Sequence, residues 1–289
     1  MADEAARPFH RQAWFKHAVR WAGYALLAVA LAYLAMAIAR LDLGGVMSRL
    51  NGAGWAISGL ASVAYGATLI LLARAWAGCA SSQTGTSWAT VLKLYGPGVI
   101  AKYIPGSVFQ YASRQVYGAR LGWGHAAMAR ASLSEAAIHI PSALATAAAL
   151  FLTGGLLGIA VLVFAGAAIA KLARTPFLQA IGWQAMFFGA FGTIAYVLAA
   201  HVLCLEQPAT IAAMFMLAWI AGFLVPVAPG GIGIRESVLL VLCAPYEQAA
   251  AIAVFAILTR LVTTLGDAFC GLAAYGAAVA TRSNRHASA

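Results

Sequence analysis

From Ala136 to Ala170 the chain carries no Asp, Glu, Lys or Arg, and the same holds from Thr175 to Leu205 and from Gln207 to Ile234. Windows this long leave one fold class open. An ionised side chain at mid-bilayer costs roughly 2.5–3.5 kcal/mol, so charge-free runs of about 20 residues mark helices that cross a ~30 Å hydrocarbon core. Composition agrees: 63% of residues are apolar and 9% charged, whereas soluble domains carry about a quarter charged residues. The expected fold is all-α, a polytopic membrane protein.

The formal charge of +10 fits basic loops facing anionic headgroups, and no nucleic-acid partner is expected. Cys79, Cys204, Cys243 and Cys270 are far apart, with no CxxC or Cys/His spacing. They read as packing residues, not metal ligands or disulfides. Arg7, Arg11, Lys16 and Arg20 ahead of Trp21 to Ala39 resemble a signal peptide, but the apolar run is too long for one and should be retained as a helix.

Six full spans are expected, at about 20–39, 53–75, 126–152, 156–170, 183–203 and 248–280. Two further apolar stretches are interrupted. The first, about 89–112, contains Gly96-Pro97-Gly98 and then Lys102-Tyr103-Ile104-Pro105-Gly106. The second, about 209–245, contains Pro226 and then Pro229-Gly230-Gly231-Ile232-Gly233-Ile234-Arg235-Glu236. Proline removes a backbone donor and glycine admits positive φ, so each stretch is expected to be a broken, re-entrant hairpin, with no continuous helix through Gly96-Pro97-Gly98.

Lys and Arg collect in the N-terminal segment, around Arg114 and Arg120, at Lys171 and Arg174, and at Arg282 and Arg285. The positive-inside rule then puts both termini in the cytoplasm, with the hairpins entering from opposite sides. The order span, span, hairpin, span occurs twice with direction reversed. Pro105 to Pro229 is a shift of 124 and Arg114 to Arg235 a shift of 121. The expected organisation is a cytoplasmic basic segment (1–19), a first membrane repeat (20–153), a second, inverted repeat (154–281) and a cytoplasmic tail (282–289). Discontinuous segments at matching places in inverted halves point to a transporter's substrate site.

Unwound backbone inside a membrane must be satisfied by protein, water or ligand. In the second hairpin the amides of Gly230, Gly231 and Gly233 could converge on an anion, with Arg235 at the start of a half-helix. Lys102, Pro105, Gly106, Ser107 and Arg114 offer the same chemistry in the first. Glu236 either neutralises Arg235 or orients a ligand held by it. Glu135 and His139 share a helix face with Ser132 and Ser142, as a hydrogen-bonded structural pair, a protonatable site or, with no third ligand nearby, a poor metal site. Arg260 and Asp267 share a face of the last helix and could pair with charges from the other half. Trp14, Trp21, Trp55, Trp76, Trp88, Trp123 and Trp183 should anchor span ends at the interface, and Gly189 and Gly192 should let helices approach closely.

Lys102 to Gly106, Arg114, Ser134-Glu135, Pro226 to Glu236 and Arg260, taken together, resemble the lysylphosphatidylglycerol synthase transmembrane-region family. Its best-known members include the flippase part of the multiple peptide resistance factor, which moves aminoacylated phosphatidylglycerol between leaflets. The resemblance implies a lipid translocator in the bacterial inner membrane. Its substrate would be an anionic or aminoacylated phospholipid, or an isoprenoid or hopanoid lipid, with a separately encoded lipid-modifying enzyme as a candidate partner. The cytosolic aminoacyl-transferase domain of those members is not expected here, since the apolar spans occupy about 20–281. No cofactor, metal or catalytic residue is expected. A membrane-embedded enzyme acting on a lipid phosphate or lipid-linked sugar, with His139 and Glu135 as acid and base, is the alternative.

Overall fold

The computed structural model describes residues 21, 50–80, 87–103, 108–225 and 229–287. The expected first span, about 20–39, lies outside the described residues apart from Trp21, as do Pro105, Gly106 and Ser107. Among the described residues all regular structure is helical: α1 (Gly52–Ala80), α2 (Trp88–Ala101), α3 (Val108–Ala119), α4 (His125–Thr153), α5 (Leu156–Leu172), α6 (Pro176–Val197), α7 (Pro208–Leu224), α8 (Ile234–Cys243) and α9 (Ala249–Ala287). A π-helical turn, Leu198–Val202, extends α6, and a 3-10 turn, Pro229–Gly231, precedes α8.

Four segments are long and apolar enough to cross a membrane: Gly52–Ala80, His125–Thr153, Pro176–Val202 and Ala249–Val279. The third begins at Pro176, not near Trp183 as expected, because Thr175 accepts the Leu178 N–H at 3.3 Å and proline suits a first turn. The expected tail is helical as far as Ala287, as part of α9. Helix α5 has 17 residues, the shortest length that spans, about 26 Å at ~1.5 Å per residue.

The four hairpin arms are shorter than a crossing or barely match it, at 14, 12, 17 and 10 residues for α2, α3, α7 and α8. They enter from opposite ends of the bundle. Arg74, near the end of α1, lies over the Trp88 ring that opens α2, and Trp88 meets Trp183 of α6 edge-on at 5.7 Å. At the other end the Glu206 amide ahead of α7 donates to Glu247, just past α8. Arg120, Arg130, Lys171 and Arg174 lie at the Trp88 end, whereas the end with Glu206 and Glu247 has no Lys or Arg among the described residues.

One expected break is absent: α2 runs through Pro97. Its flanking glycines serve packing, not a turn. A Cβ on Gly96 would fall 2.3 Å from Ala274 of α9, and one on Gly98 2.9 Å from the Gln110 carbonyl of α3. The chain turns only beyond Ala101.

Buried aromatic rings fill the space between α1, α6, α7 and α9, with Phe191 5.3 Å from both Tyr65 and Phe215, and Phe215 5.7 Å from Phe255. Lipid tails are as apolar as these rings, so close approach must come from small residues. A Cβ on Gly66 would lie 2.6 Å from the Gly266 carbonyl oxygen, so α1 and α9 touch backbone to backbone. Gly189 and Gly192 admit Val163 and Thr146 in the same way, each 2.5 Å from where a Cβ would be. Trp76 corrects the anchoring assignment: it is buried, and its indole N–H donates to Ser132 at 3.0 Å.

Candidate functional site

Between the hairpins lies a cavity of about 210 Å³. Nine residues singled out in the sequence line it: Lys102, Arg114, Glu135, His139, Gly230, Gly231, Arg235, Arg260 and Asp267. Gly233 and Glu236 are not on its wall but brace Arg235 from behind.

The tip of the second hairpin needs its glycines. Gly230, Gly231 and Gly233 have φ of 57, 72 and 84°, where side chains with a Cβ are strained. They turn the chain so that α8 starts at Ile234 and Arg235 faces inward, 5% exposed. The Gly233 N–H does not await an anion as the sequence suggested. It donates to Glu236 Oε2 at 2.8 Å, so a side chain three residues on caps the half-helix. The other oxygen, Oε1, stands 3.7 Å from Arg235 Nε and 3.9 Å from Arg260 Nη1, beyond hydrogen-bond length. Arg260 Nη1 instead donates to the Gly230 carbonyl at 2.7 Å. Nη2 of each arginine, and Glu236 Oε1, are buried without a hydrogen-bond partner.

The first hairpin is wired differently. Arg114 forms a buried ion pair with Glu135, and its guanidinium lies 4.0 Å from the centre of the Tyr95 ring, with Trp76 and Tyr111 each at 5.5 Å. The Tyr95 hydroxyl donates to the second oxygen of Glu135 at 2.5 Å. Charge pairing and ring faces together hold Arg114 in place.

The first hairpin reaches α9 at Asp267, with Tyr103 beside the second tip, 3.8 Å from where a Cβ on Gly230 would be. Lys102 Nζ lies 2.7 Å from Asp267 Oδ2, and the Tyr103 hydroxyl donates to the same oxygen at 2.6 Å. Asp267 therefore pairs with the other half of the chain, as the sequence allowed; Arg260 instead binds within its own half. Oδ1 of Asp267 is buried and unpartnered.

Glu135 and His139 do not bond to one another through their side chains as the expected pair. His139 Nδ1 is 2.8 Å from Gln184 Oε1, whose amide nitrogen donates to the Glu135 carbonyl at 3.3 Å. The rings of Phe188, Trp219 and Phe223 surround the imidazole. Among the described residues no three His, Cys, Asp or Glu side chains come together in a way that would hold a metal.

Sequence reasoning missed Tyr65, Tyr95, Tyr111, Trp219 and Gln184. Four of these line the cavity, and Gln184 stands behind His139. An apolar window counts Tyr and Trp as membrane-compatible, yet each carries a polar atom that needs a partner when buried. Gln184, the one Gln within the expected span 183–203, carried the available signal.

No family model, curated protein or solved structure matches the chain. What the site can do therefore follows from its own chemistry: a cavity among membrane-length helices, rich in fixed cations, with donors and acceptors left open.

Proposed function

We propose that this protein moves a phosphate-bearing lipid between leaflets by presenting its headgroup to the cavity between the two hairpins, with no covalent change. One observation carries the reading: Arg235 and Arg260 line a cavity among apolar helices, and each keeps a buried guanidinium nitrogen without a hydrogen-bond partner. A charged headgroup loses its water on entering hydrocarbon, and these groups, with Lys102, replace it. The likeness to the lysylphosphatidylglycerol synthase transmembrane region belongs to the same proposal.

An inverted repeat supports alternating exposure of such a site. Pairing α1 with α6, α2 with α7, α3 with α8 and α4 with α9 turns most of the observed packing partners into one another. Thus α2 lies on α9 as α7 lies on α4, and α1 on α9 as α6 on α4. Gly98 and Gly222, 124 apart, both lie under the hairpin arginine, with a Cβ falling 3.5 Å from Arg114 Nε and 3.2 Å from Arg235 Cβ. Six spans and two hairpins complete the arrangement. Against the enzymatic alternative, His139 Nδ1 is engaged by Gln184, and no Ser, Cys or carboxylate side chain hydrogen-bonds the imidazole among the described residues.

Reconstitution into vesicles containing acyl-labelled phospholipids tests the function. Leaflet exchange should exceed that of protein-free vesicles with lipid mass unchanged; a new lipid mass would favour an enzyme, and no exchange would remove the reading.

The uneven charge of the two ends supports an inner-membrane protein with both termini cytoplasmic. Cys204, exposed at the Glu206 end, should then react with an impermeant thiol reagent on intact cells. In a Cys204→Ser background, Ala173→Cys at the basic end should react only after permeabilisation. The reverse pattern would invert the topology.

A further inference from the structure

We infer that the cavity is matched to a small headgroup of one net negative charge, a phosphodiester with a neutral, hydroxyl-bearing substituent, and that it disfavours zwitterionic and cationic headgroups. This rests on the lipid-translocation reading and narrows its substrate.

The argument is a charge balance. Four cations, Lys102, Arg114, Arg235 and Arg260, stand on the wall with two carboxylates, Glu135 and Asp267, and a third, Glu236, stands directly behind. Two pairs are complete: Arg114 with Glu135, and Lys102 with Asp267. Glu236 is left to serve both Arg235 and Arg260, and reaches neither at hydrogen-bond distance. Among the described residues one positive charge is in surplus, located on two guanidiniums that each keep an unpartnered buried Nη2. A buried charge without its counterpart is unfavourable, and a ligand bringing a single negative charge cancels it. A zwitterion brings its own cation and leaves the surplus in place; a headgroup with a further amine adds to it.

Size and hydrogen bonding agree. About 210 Å³ is below the ~300–1,000 Å³ typical of drug-sized ligands, which suits a phosphodiester with a few carbons and not a sugar diphosphate. Asp267 stands on the wall, and its Oδ1 is a buried acceptor without a partner on a carboxylate whose charge Lys102 already matches. A hydroxyl donor complements it without disturbing the balance.

Phosphatidylcholine vesicles holding the protein and a trace of acyl-labelled phosphatidylglycerol, phosphatidylethanolamine or lysylphosphatidylglycerol test this. Phosphatidylglycerol should exchange about tenfold faster than the other two, the worth of one charge-assisted contact. Arg260→Gln removes the surplus and should bring the phosphatidylglycerol to phosphatidylethanolamine ratio near one. Arg260→Lys should keep the preference, and Glu236→Gln, which enlarges the surplus and spares the Gly230 contact, should widen it. Equal rates for all three lipids with the native protein, or an unchanged ratio in both charge variants, would overturn the inference. No exchange of any lipid would instead defeat the translocation reading, as would vesicle uptake of water-soluble glycerophosphoglycerol. Detergent-solubilised protein separates the two failures: glycerophosphoglycerol should raise its melting temperature and glycerophosphoethanolamine should not. Equal shifts would defeat the charge match whether or not lipid moves.

Discussion

Glu135→Ala should leave little folded protein. Arg114, 4% exposed, depends on that carboxylate for its only counter-charge among the described residues, and ring faces alone would have to hold it. Removing one partner of a buried pair costs about 3–5 kcal/mol, against a total stability of ~5–15 kcal/mol for a typical protein. The Tyr95 hydroxyl loses its acceptor as well. Thermal melting in detergent should show a large drop for Glu135→Ala and a smaller one for Glu135→Gln, which keeps shape and an acceptor. The double variant Arg114→Met with Glu135→Leu should recover much of the loss, because an apolar replacement of both partners leaves no charge buried. A Glu135→Ala protein melting with the native one would mean that water or another group already solvates Arg114.

Arg235→Met should do the opposite: slow exchange about 10- to 100-fold and spare the fold. Its guanidinium has no hydrogen bond from Nη2 and only a distant carboxylate, so little stabilisation is lost. A methionine can fill the space beside Phe215, whose ring centre lies 5.2 Å from Cζ. Contacts of an arginine with a charged ligand are worth roughly 1.5–3 kcal/mol, or about 10- to 100-fold in rate if they are made as the headgroup crosses. Exchange and melting temperature measured on one preparation separate the roles of the two arginines. Exchange that persists in a well-folded Arg235→Met protein would take away the proposed site.

The helical class and the four long apolar helices were legible because hydrocarbon penalises charge strongly enough to leave windows in the sequence. The second hairpin stretch, expected at about 209–245, contains α7 and α8, Pro208–Leu224 and Ile234–Cys243. Pro97 was misjudged because a Pro-Gly cluster reads alike whether its glycines turn the chain or admit a neighbour; here they admit α9 and α3. Partner choice was illegible for a different reason. Glu135 and His139 share a face by helix period, but whether they bond depends on groups 21, 40 and 45 residues away, Arg114, Tyr95 and Gln184. No local pattern encodes those meetings. The contrast between Arg114, closely paired with Glu135, and Arg235, with a carboxylate only at 3.7 Å, likewise lies in three-dimensional wiring, since both arginines follow a Pro-Gly turn in the sequence.

The Gly66 and Gly266 crossing has a mechanical consequence. Where most helices interlock through side chains like gear teeth, these two meet on bare peptide planes. Asp267, gripped by Lys102 and Tyr103, is the very next residue of α9, so the point where the two backbones touch also fixes the height at which the first hairpin is held.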